Sequence, residues 1–197
     1  MMEDNMGLKK LKEDGKFTYN DYIQWKDSED WEIIGGVAYN MAPSPGTTHQ
    51  GLSSVIHGEL YQYLKNKPCR VFFELDVVLS EGDVVKPDII VVCDKTKIKD
   101  KHISGAPDLI VEILSPSTAK KDKNDKYALY KSSGVKEYWI VDPHNQVIDV
   151  HNFTQNTFKM YFNEDDITDN YLEPSIFGGD YKLDVNEIFK GDSEKNT

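Results

Sequence analysis

The chain has 197 residues, a formal net charge of −11, 39% hydrophobic and 29% charged residues. That is enough for one domain with a sizeable core, in a composition typical of soluble folded proteins rather than disordered ones. The acidic balance argues against indiscriminate nucleic-acid binding, and no apolar run approaches the roughly 18 residues of a membrane span. The opening stretch MMEDNMGLKKLKEDGK lacks the apolar segment of a signal peptide. Cys69 and Cys93 give no disulfide framework; both sit in apolar runs, read as buried free thiols, and suggest a reducing, cytoplasmic setting.

Residues 1–16 are charged and aperiodic and read as a loose N-terminal segment. Thr18 is an N-cap for a short helix carrying Tyr19, Tyr22 and Ile23. Trp31–Ile34 and Val37–Met41, joined by Gly35-Gly36, predict a hairpin, and residues 42–46 a turn. Leu52, Val55, Ile56, Leu60, Tyr63 and Leu64 recur at helical spacing, predicting a helix from Thr47 to Lys65. Strands follow over Cys69–Leu75, Val77–Ser80 and Lys86–Val92, the last with Pro87 confined to its start or to an edge. A lysine-rich loop covers 94–104.

Asp108–Leu114 reads as a buried strand, Thr118–Ser132 as a helix stopped by Gly134, and Val135–Val141 as a strand. Val147–Phe153 and Thr157–Phe162 form a second hairpin, and Asp184–Phe189 a closing helix. The expected domain spans 17–190, with a polar tail over 191–197. The expected fold class is α/β, a mixed β-sheet flanked by helices, with extra N-terminal and C-terminal β-hairpins.

Charge is distributed unevenly. Between Lys95 and Lys136 there are ten lysines against five acids, a positive window in an acidic chain. Arg70 is the only arginine, so guanine reading by arginine forks is nearly absent, and nucleic-acid contact would rest on lysine and phosphate. The plainer reading makes these lysines a solvated helix face.

Two acids are embedded in apolar strands. Glu112 lies between Ile110 and Leu114 on one strand face, and Asp88 opens the run Ile89–Val92. A buried carboxylate needs a partner, a proton or a metal. If the strands are neighbours in register, the two carboxylates meet, and an all-oxygen pair suits a hard cation such as Mg²⁺.

The block GAPDLIVEILSPSTAKKDKNDKYALYKSSGVKEYWIVDP, from Gly105 to Pro143, resembles the signature region of the Uma family of restriction-endonuclease-like proteins. That bacterial family belongs to the PD-(D/E)XK nuclease-like superfamily. Trp31–Gly36, Met41–Pro45, His49-Gln50 and Lys86-Pro87-Asp88 resemble it as well, so the likeness runs from Thr18 to Phe153. It implies a restriction-endonuclease-like core and Mg²⁺- or Mn²⁺-dependent hydrolysis of phosphodiester bonds in nucleic acid, DNA in the first place. By position, Asp88 and Glu112 would be the metal ligands. Leu114 stands where the family's lysine is expected, and Lys126 on the following helix is the candidate to replace it. Glu32 and His49 are possible additional members of the site. Cutting both strands of a duplex would favour a homodimer.

Each assignment has a rival. Asp88 could only close a turn, Glu112 could pair with a buried lysine, and Lys126 could form a surface i,i+4 pair with Asp122. His49 could be a cap or core residue. Asp108 reads as a strand-entry residue with its carboxylate in solvent. Ser115, Ser117 and Thr118 read as caps rather than nucleophiles, and Tyr127, Tyr130, Tyr138 and Trp139 as packing. A catalytically inactive module that binds nucleic acid or a protein partner is the alternative function.

Overall fold

A computed structural model describes residues 15–25, 30–41, 45–116, 119–163 and 170–193. Residues 1–14 of the expected N-terminal segment over 1–16, residues 42–44 of the expected turn, Ser117 and Thr118, and residues 194–197 lie outside that range.

Helix α1 (Tyr19–Tyr22) begins at Thr18, which exchanges hydrogen bonds with Asp21 in a capping box. Strands β1 (Trp31–Ile34) and β2 (Val37–Asn40) make the expected hairpin, with Gly35 and Gly36 both at positive φ as its tight turn requires. Helix α2 (Thr47–Leu64) is followed by β3 (Arg70–Phe73), β4 (Val77–Ser80), β5 (Asp83–Val85) and β6 (Ile89–Val92). β6 starts just past Pro87, so the missing N–H costs the ladder nothing. The lysine-rich loop is more ordered than its composition suggests. It holds a 3₁₀ turn over Lys95–Lys97, capped by Asp94, and a two-residue strand β7 (Ile103–Ser104).

After β8 (Leu109–Ile113), the expected single helix has three parts. Helix α3 (Ala119–Lys121) runs into a π-helical turn over Asp122–Lys126 and then into α4 (Tyr127–Ser133). Gly134 ends it in the left-handed conformation at φ +89°. β9 (Glu137–Asp142), β10 (Val147–Asn152) and β11 (Thr157–Phe162) complete the main sheet. β12 (Tyr171–Leu172) pairs with β13 (Leu183–Asp184), and α5 (Val185–Ser193) closes the described chain, taking in the first three residues of the expected tail.

There are two principal sheets rather than one. The main sheet has the order β11-β10-β9-β8-β6-β3, parallel only between β8 and β9. The other has the order β2-β1-β5-β4-β7. The C-terminal hairpin is therefore an edge of the main sheet, while the N-terminal hairpin belongs to the second. Alternation along β6 and β8 sorts the core into two clusters. Ile89, Val91, Leu109, Val111 and Ile113 pack toward α2 and α5. Ile90, Val92, Ile110 and Leu114 face Tyr130 of α4 and Val77, Val85 and Ile103 of the second sheet.

Two expectations are corrected. Cys69 and Cys93 are disulfide-bonded, not free. The β3–β6 register sets Arg70 opposite Val92, and one further step brings the cysteines opposite each other across the edge of the sheet. Asp108 is buried, not solvent-facing. Its Oδ2 accepts the Cys93 N–H at 2.7 Å and its Oδ1 meets the Lys136 ammonium at 2.6 Å, which offsets the cost of burying the charge.

Candidate active site

The β6–β8 pair is antiparallel, with Ile89 opposite Val111 and Ile90 opposite Ile110. Continued one step, that register sets Asp88 opposite Glu112, and directly opposed residues share a sheet face. Glu112 belongs to the face covered by α4 and the second sheet, while Asp88, one residue before β6, is held by the Ile113 N–H of β8 and by His49 of α2. Glu32 reaches the same place from β1, and Lys126 from the π turn.

Lys126 is the centre. Its Nζ lies 2.9 Å from Glu112 Oε1, 2.8 Å from Glu32 Oε1 and 3.5 Å from Asp122 Oδ1. The pair with Asp122 that the sequence offered as a surface contact is thus real but interior. Glu32 is 1% exposed, Lys126 3% and Glu112 4%, so water screens little of the attraction between them. Tyr130 donates its hydroxyl to Glu112 Oε1 at 2.6 Å. Glu32 also takes the Lys121 ammonium at 2.7 Å and the Lys86 backbone N–H at 3.2 Å. Tyr138 donates to the Asp122 carbonyl.

Asp88 stands at the margin of this cluster. Its Oδ2 accepts the Ile113 N–H at 2.6 Å and lies 3.3 Å from His49 Nε2. All five residues singled out in the sequence, Asp88, Glu112, Lys126, Glu32 and His49, thus gather in one place. Lys121 and Tyr130 join them unforeseen. Tyr130 was legible, since it follows Lys126 by four residues. Lys121 was not: five residues span about 140° on an α-helix. The π turn brings such residues back onto one side.

The electrostatics follow from three carboxylates around one central ammonium. Burial works against the Lys126 charge, but Glu112 and Glu32 hold its pKa well above the ordinary lysine value. Burial likewise raises Glu32, yet Lys126 and Lys121 together bring it down from 4.5 to about 2. Burial pushes Glu112 well above the ordinary value; Lys126 pulls against this, while Asp122, Asp88 and Glu32 add to it. The upward shifts of Lys126 and Glu112 are compatible once Glu32 is counted: Glu32 shares the Lys126 ammonium and holds Lys121 as well, while burial and three neighbouring acids outweigh Lys126 at Glu112. At His49, burial lowers the pKa, but the hydrogen bond and charge of Asp88 outweigh it and the net shift is upward.

Among the described residues, no three His, Cys, Asp or Glu side chains converge as a ready metal cage. Among the described residues, the partners of Glu112 all meet Oε1 and those of Asp88 meet Oδ2, which leaves the second oxygen of each carboxylate as a hard donor. That set fits Mg²⁺, which keeps several waters and takes one or two carboxylates.

The model of the family described as "Uma2: Putative restriction endonuclease" matches residues 19–185. This chain belongs to the Uma2 family. Over 182 residues the Uma2 chain is 26% identical to the uncharacterised protein slr1290 of Synechocystis sp. (strain ATCC 27184 / PCC 6803 / Kazusa), covering 89% of this chain and 93% of that one. Its fold matches the crystal structure of "a putative nuclease belonging to DUF820" from Anabaena variabilis ATCC 29413 with a TM-score of 0.73. There the identity is 21% and the coverage 88% of this chain and 98% of the other, a likeness of fold. The restriction-endonuclease-like, mixed α/β architecture read from the sequence is the one observed. Among the described residues, no helix of this Uma2 protein is long and apolar enough to cross a membrane.

Proposed function

We propose that this protein is an endonuclease that hydrolyses phosphodiester bonds of DNA with Mg²⁺ or Mn²⁺, using Asp88 and Glu112 as ligands and Lys126 as the catalytic cation. One observation carries this reading: Asp88 accepts the Ile113 N–H of β8, the residue next to Glu112, and the Lys126 ammonium lies 2.9 Å from Glu112. The bound cation would supply an activated water and charge neutralisation at the phosphate. Lys126 is held strongly protonated, so it acts as a fixed positive charge for the transition state rather than as a base. Glu32 and Lys121 keep that ammonium in place, and Tyr130 fixes the Glu112 rotamer. His49 is a positioning residue that orients the Asp88 carboxylate. A DNA substrate would put the enzyme in the cytoplasm; the free-thiol argument for that setting falls with the Cys69–Cys93 bridge, on which cytoplasmic reductants would act. Double-strand cutting would use a homodimer.

A second reading has its own support. The Lys126–Glu112–Glu32 cluster is buried and mutually neutralising, Leu114 occupies the usual lysine position, and the protein is strongly acidic. Those features suit a module that keeps the fold and binds nucleic acid or a protein without cutting. Calorimetric titration of Mg²⁺ and Mn²⁺ into wild type and Asp88→Ala, followed by plasmid and single-strand cleavage, separates the two. Metal binding lost in the variant, with metal-dependent cutting by wild type, establishes the nuclease. DNA binding with neither metal uptake nor cutting establishes the silent module.

A further inference from the structure

Helix α2 carries a second feature that begins where the candidate site ends. His49, Ser53, His57 and Tyr61 recur at intervals of four along one flank of the helix. His49 rests on Asp88, and Gln50 beside it donates to Glu74, whose own N–H donates to the Asp88 carbonyl. From there the flank faces a cleft of about 200 Å³ against Phe73, the last residue of edge strand β3. Phe73 meets the His57 ring edge-on at 4.7 Å, and His57 stacks on Tyr61 at 6.3 Å. Phe73 is 56% exposed and Tyr61 53%, so two large rings lie open to solvent beside a polar site. Burial lowers the His57 pKa, so its ring is uncharged at neutral pH. Past Tyr61 a second cleft of about 310 Å³ is lined by Lys65 and by Arg70, the only arginine in the chain.

We infer that this flank is a track for single-stranded nucleic acid, in which Phe73 and Tyr61 stack unpaired bases and Lys65 and Arg70 hold the phosphates beyond them. From His49 to Tyr61 the helix rises about 18 Å, long enough for several stacked nucleotides. Open rings recognise bases whose faces are free, and those of a duplex are already stacked. Two cations are too few to anchor a duplex through its backbone to a protein of net charge −11. Glu74, at the end near Asp88, disfavours phosphate there and leaves that stretch to bases. The track rests on the nuclease reading only for the class of polymer; it requires neither metal nor cleavage.

The test is fluorescence anisotropy with a fluorescein-labelled oligothymidylate and a duplex of equal length, in EDTA so that nothing is cut. Wild type binds the single strand more tightly than the duplex. Phe73→Ala and Tyr61→Ala each weaken single-strand binding roughly fivefold or more, as loss of one base–ring stack does, while Phe73→Trp retains it. Arg70→Gln lowers the slope of log affinity against log salt by about 0.7. Thermal unfolding of each variant confirms that these exposed substitutions leave the fold intact. Equal or better binding of the duplex, no binding, or ring variants indistinguishable from wild type overturns the track. Metal-dependent cutting by wild type and Asp88→Ala is scored separately. Ring-dependent binding without cutting keeps the track and removes the hydrolytic reading, and cutting with ring-independent binding does the reverse.

Discussion

At the scale of residues, the controlling fact is that three carboxylates meet one central ammonium out of water. Removing the cation leaves buried charge without its partner. Lys126→Met should cost about 3–5 kcal/mol in urea unfolding, and adding Glu112→Gln should recover part of that loss. The glutamates should shape the pH dependence with opposite signs. Glu32 falls from 4.5 to about 2, so its contribution is present above pH 4.5 and is lost as pH drops toward 2. The shift corresponds to stabilisation on the order of 3 kcal/mol. Glu112 is raised, so stability falls as pH climbs from 4.5 toward its higher folded value. Urea midpoints from pH 2 to 8 check this. Glu32→Gln should flatten the acid limb below pH 4.5, and Glu112→Gln the limb above it. A variant that leaves its own limb unchanged would show that the group does not titrate as the cluster requires. Asp88, Glu112 and Lys126 were readable as candidates because acids in apolar strands are costly and stand out. Lys121 was one lysine among many until the turn that aims it was known.

At the scale of elements, the π turn over Asp122–Lys126 is the decisive local feature. It adds one residue to a turn without ending the helix, which puts Lys121 and Lys126 on the same side, both reaching Glu32. Inserting an alanine after Asn124 should rotate the two halves by about 100° relative to each other and part Lys121 from Lys126. Far-UV circular dichroism should keep its helical signal, while metal affinity falls and any metal-dependent cutting disappears. Retained metal affinity would mean that the turn does not position the site. At the end of α4, Gly134 holds φ +89°, and Gly134→Ala should cost about 1 kcal/mol, measured as a lowered melting temperature. The hairpin at Gly35-Gly36, the α2 stripe and the Gly134 stop are all local signals and were legible in order. The π turn was not, because no residue type marks it and tertiary contacts of Lys126 and Tyr130 stabilise it.

At the scale of the whole molecule, the site lies between the two sheets, with Glu112 from one, Glu32 from the other, and the ammonium and Asp122 from the π turn. The Cys69–Cys93 bond ties edge strand β3 to β6, the strand that begins just after Asp88. It closes a loop of 24 residues, for which chain entropy predicts stabilisation of about 3 kcal/mol. Replacing both cysteines by alanine, or reducing the bond, should lower unfolding stability by about 2–4 kcal/mol, read from urea titrations with and without a dithiol. Equal midpoints would show that the β3 edge is held by its ladder alone. The loop over 95–101 leaves β6 from the end opposite Asp88, while Lys121 and Lys126 belong to the site. The positive window of the sequence is therefore divided between an exposed loop and a buried ion-pair cluster.

The sequence alone was enough for the main strands and helices from residue 18 to 189, though not for β5, β7, β12 and β13, and for the family and the two acids set in apolar runs. Those properties are local: periodicity, turn chemistry and the cost of charge in an apolar run can be read along the chain. Tertiary structure alone decided the pairing of the cysteines, the division into two sheets, the arrival of Glu32 beside Lys126, and the opposite pKa shifts of Glu32 and Glu112. These depend on register and distance between segments far apart in sequence, and on how little water is left where they meet.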